Sequence, residues 1–195
     1  PGVPGAVARP ATTQALSEIL ALCHKNDQHV VVQGGLTGLT GGGIPKSGEI
    51  AINLERMTGI EELDVDAMTM TVKAGTPLQV IQEAADDAGF IFPLDLGARG
   101  TCNIGGNIST NAGGNQVLRF GMTRNLVLGL EAVMADGTVI SSMNKMLKNN
   151  AGYDLKHLFI GTEGTLGIVA RAVLRLFPKS KSRCTALLAL NNFRD

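Results

Sequence analysis

The sequence predicts an α+β domain with two lobes: a small lobe with a mixed sheet, and a larger lobe with a mainly antiparallel sheet and helices. Three observations predict it: strand patterns of period two, a hairpin signal that requires an antiparallel pair, and helical patterns that lie apart from the strands. We place the first lobe at residues 1–58 and the second at 59–180. Residues 181–195 are predicted to begin a further, truncated domain.

The first lobe is predicted to contain one helix and two strands. Residues 12–26 have helical periodicity, and Thr12 or Thr13 is a suitable N-cap. The apolar side chains of this helix form one stripe: Leu16, Ile19, Leu20 and Cys23. The apolar run 29–32 predicts a short buried strand, and a second strand is expected near 49–54.

The second lobe is predicted to start with a strand followed by a helix. Alternation over 68–74 indicates a half-buried strand. Thr76 is expected to cap the helix, with Pro77 at its first position and Gln79 completing a capping box. Gly89 is expected to end this helix. Its apolar face is predicted to comprise Val80, Ile81, Ala84, Ala85 and Ala88.

Two further strands form an antiparallel pair, and a third strand follows. Asp136-Gly137 lies between the apolar runs 126–135 and 138–140, which is a hairpin signal. Alternation over 168–176 predicts another strand. The apolar run 186–190, after a Lys/Ser-rich connector, is interpreted as the first strand of a further domain. The alternative is that this run closes the sheet of the present domain.

The composition limits the classes of partner. Lys and Arg number 17, as do Asp and Glu, so the net charge is zero and no bulk attraction to nucleic acid or an anionic membrane is expected. Aromatic residues are 4% of the chain, which disfavours base stacking. No apolar run reaches the ~18 residues of a membrane span. Three widely spaced cysteines favour a reducing compartment, here the cytoplasm, and no metal-ligand spacing occurs.

The strongest local motif is the glycine-rich segment 34–43, which follows a predicted strand. Consecutive backbone N–H groups in such a turn can bind a phosphate or pyrophosphate, and Thr37 and Thr40 add hydroxyl donors. The segment is not a Walker A loop, because Pro45 precedes Lys46 where that motif needs Gly. Taken alone, it is equally compatible with a flexible glycine hairpin.

Two more Gly/Asn/Thr clusters occur beside apolar elements. They cover 105–107 with 111–114, and 161–167. Three such clusters favour one long ligand that is contacted by backbone from both lobes. A dinucleotide has that length, with its pyrophosphate at the first cluster and its rings at the others.

Three ordered motifs resemble a known family: QGGLTGLTGG at 33–42, FPLDLGARGTCNIGGNISTNAGG at 92–114 and GYDLKHLFIGTEGTLGIV at 152–169. Over about 8–178 the chain resembles the FAD-binding domain of the vanillyl-alcohol oxidase / p-cresol methylhydroxylase type. Within that group it is most similar to the FAD-linked D-2-hydroxyacid dehydrogenases, which oxidise D-lactate, D-2-hydroxyglutarate or glycolate. Leu36 is a departure, because many members have a polar residue such as Asn there.

The resemblance implies FAD between the two lobes and assigns three sets of contacts. The pyrophosphate set is Gly34, Gly35, Leu36, Thr37, Gly38 and Leu39. The set for the adenosine, ribityl and isoalloxazine regions is Pro93, Gly97, Thr101, Gly105, Gly106, Asn107, Asn111, Ala112 and Gly113. The set near the flavin ring and adenine is Glu163, Gly167, Ile168 and Val169. Because no His occurs in 33–43, the FAD is expected to be non-covalent.

The resemblance also implies a reaction. A hydride leaves the α-carbon of a small D-2-hydroxy acid for flavin N5, and a protein base takes the hydroxyl proton. In the family, the base, the carboxylate clamp and any metal ligands lie in a cap domain after the FAD domain, so no catalytic or metal-binding residue is assigned here. The resemblance leaves open which electron acceptor reoxidises the flavin: oxygen, a quinone, a cytochrome or an electron-transfer flavoprotein.

The isolated chain is therefore expected to bind FAD without oxidising hydroxy acids. Two alternatives remain from the sequence. One is a non-catalytic nucleotide-binding or regulatory module that uses the same loops. The other is a subunit that needs a separately encoded partner for its substrate site.

Overall fold

The computed structural model describes residues 2–182, 184–190, 192 and 194. The strands are β1 (Ala6–Ala8), β2 (Val30–Gln33), β3 (Ile50–Asn53), β4 (Ile60–Asp64), β5 (Thr69–Lys73), β6 (Phe90–Ile91), β7 (Val127–Val133), β8 (Val139–Ser142), β9 (Ile168–Arg175) and β10 (Phe177–Pro178). The helices are α1 (Thr13–Lys25), α2 (Leu78–Asp87), α3 (Ile104–Ser109), α4 (Val117–Phe120), α5 (Thr123–Leu126) and α6 (Lys156–Phe159).

The small sheet has the strand order β1-β3-β2 and is parallel throughout. The prediction of a mixed sheet was therefore wrong in this detail. The chain returns to the starting end of the sheet twice, through α1 between β1 and β2 and through the loop 34–49 between β2 and β3, and such crossovers produce parallel pairs. Thr12 caps α1 as predicted, since its side chain accepts a hydrogen bond from the backbone N–H of Ala15 (3.1 Å).

The larger sheet is antiparallel and has the order β4-β5-β9-β7-β8, so the predicted α+β class with a larger antiparallel sheet is confirmed. The hairpin between β7 and β8 is also confirmed, with Gly137 at φ +88°. The prediction that the strand over 68–74 is half-buried was wrong. Thr69 and Thr71 are buried as well as Met70 and Val72, because β5 is an inner strand that is covered on both faces.

Helix α2 differs from its prediction at both its start and its apolar face. Its N-cap is Pro77, and Thr76 does not cap it. The Thr76 hydroxyl instead accepts from the Gly59 N–H (3.0 Å) and donates to the Lys73 carbonyl (2.7 Å), which ties the start of α2 to β5. Val80, predicted on the buried face, is exposed. Helix α2 ends before Gly89, as predicted, and Gly89 has a φ angle of +81°.

The alternative that the run 186–190 closes the sheet of this domain was wrong, because these residues pair with no strand in the described part of the chain. Leu187, Leu188 and Leu190 are exposed. The interpretation of this run as the start of a further domain stays a prediction. Within the predicted segment 181–195, residues 183, 191, 193 and 195 lie outside the described residues.

Candidate functional site

A cavity of about 480 Å³ lies where the small parallel sheet meets the five-stranded antiparallel sheet. Most of its wall comes from three segments that are far apart in sequence. The first is the loop after β2, the second is the start of α3, and the third is the loop that leads into β9. The volume lies in the ~300–1,000 Å³ range of small-molecule and cofactor sites. The fold thus brings all three glycine-rich clusters to one place.

The loop after β2 presents unpaired backbone donors. Among the described residues, none of the backbone N–H groups of 35–43 donates a hydrogen bond within the protein. The loop is closed at its base by the Gln33 amide, which donates to the Gly43 carbonyl (2.9 Å). Leu36 adopts φ +53°, a left-handed conformation that is unusual for leucine. A loop that has such a run of free N–H groups and lines a cavity is suited to an anion.

Glycines at the cavity serve two different purposes. Gly35 and Gly105 allow close packing of protein on protein: a Cβ on Gly35 would lie 1.9 Å from the Thr101 carbonyl oxygen, and one on Gly105 would lie 2.7 Å from the Ala74 Cβ. Gly38 and Gly106 line the cavity, and a Cβ on either would meet no atom within 4 Å. These two positions therefore leave room that a side chain would occupy.

Two asparagines lie in the wall formed by α3. The Asn103 side chain donates to the Gly75 carbonyl (2.8 Å) and is thereby fixed. Asn107 is 6% exposed, and its Oδ1 atom has no hydrogen-bond partner among the described residues. A buried amide oxygen without a donor costs about 1–3 kcal/mol. This oxygen is closed off even when the cavity is empty, so the cost falls on the folded chain itself.

The third wall is the loop around Glu163, which sits at the rim of the cavity with φ +53°. Its backbone N–H donates to the Ser109 carbonyl (2.9 Å), which joins this loop to the end of α3. Arg124 holds the preceding segment, because its guanidinium donates to the carbonyls of His157 (2.7 Å) and Ile160. The wall is therefore fixed by hydrogen bonds at Glu163 and in the segment that precedes it.

The cavity contains little charge. Among its described lining residues there is no Lys, Arg or His, and Glu163 is the single carboxylate. Hydroxyl groups of Thr37, Thr40, Ser109 and Thr110 accompany the backbone donors. An anion in this cavity must therefore be bound by neutral donors.

The structure brings together eleven of the residues that the resemblance assigned to a cofactor. They line the cavity: Gly34, Gly35, Leu36, Thr37, Gly38, Gly105, Gly106, Asn107, Glu163, Ile168 and Val169. The remaining eight do not line it: Leu39, Pro93, Gly97, Thr101, Asn111, Ala112, Gly113 and Gly167. Leu39 is fully exposed, and Thr101 contacts Gly35 from outside the cavity.

Sequence reasoning missed several lining residues. Gln33, Cys102, Asn103, Ser109, Thr110 and Gly164 line the cavity and lie inside the three motifs, so the motif ranges carried a signal for them. Val32, Leu54 and Ala74 also line it but lie outside the motifs. No local pattern marks these three, because they reach the cavity through sheet packing.

Membrane-spanning helices and metal-ligand clusters are both absent from the described residues. No described helix has both the length and the apolar character to cross a bilayer. No three side chains of the His, Cys, Asp or Glu type are grouped as metal ligands within 2–182, 184–190, 192 and 194.

Comparison with known proteins places the chain among flavoproteins. The family described as "FAD binding domain" matches residues 4–142. A Bos taurus protein named D-2-hydroxyglutarate dehydrogenase, mitochondrial, is 43% identical over 187 residues, which make up 96% of this chain and 34% of the bovine protein. A Xanthomonas citri D-2-hydroxyglutarate dehydrogenase is 43% identical over 192 residues, 97% of this chain and 40% of that protein.

A solved structure shares the fold. Alkyldihydroxyacetonephosphate synthase superposes with a TM-score of 0.79 at 22% identity, over 90% of this chain and 32% of that one. The chain thus spans about a third of the lengths of the proteins it matches.

Proposed function

The chain belongs to the FAD-binding domain family, and we propose that it is the FAD-binding part of a flavin-dependent dehydrogenase of small D-2-hydroxy acids. FAD is the cofactor of this family. The proposed substrate class follows from the names of the bovine and Xanthomonas relatives, which act on D-2-hydroxyglutarate. The chain covers about a third of such proteins, so the complete activity is proposed for the larger protein.

The observation that carries the proposal is the set of backbone N–H groups over 35–43 that donate to no described protein atom, in a loop that lines a cavity. Neither Lys nor Arg occurs among the described residues that line this cavity. A pyrophosphate is the anionic part of FAD, and main-chain amides can bind it without a cationic side chain. Gly38 and Gly106 leave open space in the same cavity. We therefore assign the pyrophosphate to the first loop.

One carboxylate in the cavity supports a place for the hydroxyl groups of FAD. The Glu163 carboxylate would repel a phosphate, so we assign it to the hydroxyl groups of a ribose or ribityl chain. Binding is proposed to be non-covalent, because the first loop offers no histidine for attachment.

Bound FAD would supply the hydride acceptor, and this chain would orient it and shield it from water. The lining residues include no His or Lys among those described, so none of them is assigned as the base for the substrate hydroxyl. Substrate binding and proton removal are proposed to come from residues outside this chain's cavity, in the same polypeptide or in a partner subunit. The three free thiols support a reducing compartment, and the proposed one is the cytoplasm.

Reconstitution tests the proposal. The chain is mixed with FAD, desalted, and examined for retained flavin absorbance, while a fluorescence titration gives the Kd. Retained flavin together with no oxidation of D-2-hydroxyglutarate or D-lactate is the expected result. Failure to retain flavin would contradict the cofactor assignment, and turnover by the isolated chain would contradict the placement of the base. Flavin reduction only after a second polypeptide is added would favour the partner-dependent alternative.

A further inference from the structure

The Glu163 carboxylate lies against the first loop. Its Oε2 atom would be 3.3 Å from a Cβ built on Gly42, so the carboxylate reaches the loop whose backbone N–H groups over 35–43 are unpaired among the described residues. The next residue, Gly164, lies against β2, because a Cβ built on it would be 3.5 Å from Val32 Cγ2. Residues 163–164 therefore bring the third wall of the cavity into contact with the first lobe beside this loop.

Glu163 is held at its backbone, while its side chain carries an uncompensated charge. The backbone N–H donates to the Ser109 carbonyl (2.9 Å), and the side chain has no hydrogen bond or ion pair with the described residues. The cation that holds the preceding segment is Arg124, but its guanidinium donates to the carbonyls of His157 and Ile160 and does not line the cavity. A ligand in the cavity is therefore exposed to the negative charge of Glu163.

This carboxylate acts differently on two kinds of phosphate ligand. In a pyrophosphate that is esterified at both ends, each phosphate carries a single charge, and a sugar or ribityl chain supplies hydroxyl groups that can donate to a carboxylate. In a nucleoside diphosphate, the terminal phosphate carries about 1.5–2 negative charges at pH 7, as a phosphate monoester does, and no hydroxyl chain follows it. A carboxylate beside the loop favours the first kind and repels the second.

The first loop does not make this distinction by itself. Backbone N–H groups bind the phosphates of either kind of ligand. Among the described residues that line the cavity there is no Lys, Arg or His, and Glu163 is the single charged side chain. Selection by charge therefore depends on Glu163.

We infer that Glu163 is a specificity-determining residue that admits pyrophosphates esterified at both ends, such as FAD, and rejects free nucleoside diphosphates and triphosphates. This inference deepens the proposed function and rests on it, because it concerns the same cavity. A free adenine nucleotide shares the ADP part of FAD, so it is the competitor that such a site has to exclude. Repulsion of the terminal phosphate achieves this without a cationic side chain.

The experiment compares ADP with ADP-ribose, which is ADP whose terminal phosphate is esterified by a ribose. Calorimetric titration without divalent cations gives both Kd values for the wild type and for Glu163→Gln. The ratio of the ADP Kd to the ADP-ribose Kd is expected to fall about tenfold in Glu163→Gln. Repulsion of ADP is lost in this variant, and ADP-ribose loses a charge-assisted hydrogen bond.

Two control variants and a salt series separate charge from structure. Glu18→Gln removes the same charge from α1, where Glu18 is exposed and does not line the cavity, and should leave the ratio unchanged. Glu163→Asp keeps the charge and should keep most of the discrimination. Raising the ionic strength from about 0.01 M to about 0.15 M shortens the Debye length from about 30 Å to about 8 Å. This change should lower the ratio in the wild type and leave it constant in Glu163→Gln.

A parallel flavin fluorescence titration distinguishes a failure of the inference from a failure of the proposed function. If FAD binds but the ratio in Glu163→Gln stays within about twofold of the wild-type ratio, the inference is wrong and the proposed function stands. An equal fall in Glu18→Gln, a wild-type ratio that salt does not change, or ADP-ribose that does not bind a chain that binds FAD also overturns the inference. If no FAD binding is detected, the proposed function is wrong and the inference falls with it.

Discussion

Gly35 packs on the main chain of Thr101 so closely that a Cβ on Gly35 would lie 1.9 Å from the Thr101 carbonyl oxygen. The family resemblance places Gly35 among the pyrophosphate contacts, where a side chain would obstruct the approach of a phosphate to the backbone. The structure gives a different reason, which is contact between the first loop and the segment before α3. The glycine shapes the cavity by joining two of its walls.

Replacing Gly35 by Val is therefore expected to weaken both FAD binding and the fold. Separating the two backbones should cost about 1–3 kcal/mol in the free energy of unfolding, as overpacking does. The matched variant is Gly38→Ala, whose Cβ enters open space in the cavity. The free energy of unfolding of Gly38→Ala should stay within about 0.5 kcal/mol of the wild-type value. Its FAD binding should still be weaker than that of the wild type.

Urea denaturation and FAD titration of both variants check this pair. Unchanged stability of Gly35→Val would contradict the packing role. Gly97→Ala adds a further test, because its Cβ also meets no atom within 4 Å but Gly97 does not line the cavity. We expect wild-type FAD affinity in this variant, whereas a weakened affinity would support the contact that the family resemblance implies.

Asn107→Leu is predicted to separate stability from cofactor affinity. Without FAD, removing an unpaired buried oxygen should leave the free energy of unfolding unchanged or raise it, because an unsatisfied acceptor costs about 1–3 kcal/mol. FAD affinity should stay within about 0.5 kcal/mol of the wild-type value, because this oxygen is closed off from the cavity. Thr69→Val is the control, since Thr69 Oγ1 is also buried without a partner but lies in β5, outside the cavity lining. A clear loss of FAD affinity in Asn107→Leu alone would show that the ligand depends on this oxygen.

Arg124→Gln is predicted to loosen the third wall. The guanidinium hydrogen bonds to His157 and Ile160 are lost, and charge-assisted bonds contribute about 1.5–3 kcal/mol each. We expect a fall of about 2 kcal/mol in the free energy of unfolding, together with weaker FAD binding. Arg9→Gln removes an exposed ion pair with Glu55 (3.1 Å) and should change stability by less than about 1 kcal/mol. Chemical denaturation of both variants decides whether Arg124 has the larger role.

Leu36→Asn is predicted to stabilise the first loop. Leu36 has φ +53°, and a left-handed conformation costs an ordinary L-residue roughly 1–2 kcal/mol, whereas Asn tolerates it. The side chain is largely exposed, so little apolar burial is lost. Leu39→Asn serves as the control, because Leu39 is exposed in the same loop without positive φ. A free energy of unfolding that rises no more in Leu36→Asn than in Leu39→Asn would show that backbone strain at 36 is negligible.

Local elements were predictable where neighbouring residues alone decide the conformation. Thr12 caps α1, Gly89 follows the end of α2 at positive φ, and Asp136-Gly137 turns the β7–β8 hairpin. Each depends on hydrogen bonds or dihedral angles within a few residues. The prediction that Thr76 caps α2 was wrong because a residue distant in sequence decides where its hydroxyl bonds. The Thr76 hydroxyl is hydrogen-bonded to Gly59, and the spacing of residues around α2 does not reveal this partner.

Residue types and their spacing were enough to predict the α+β class, the three glycine-rich clusters and the resemblance of their motifs to an FAD-binding domain. Which glycines contact protein and which open into the cavity could be read only from the folded chain. The same is true of the burial of both faces of β5 and of the Asn107 Oδ1 atom, which has no hydrogen-bond partner among the described residues. Those properties depend on distances between segments far apart in the chain. Such distances are set by how the two sheets pack, and no local pattern encodes them.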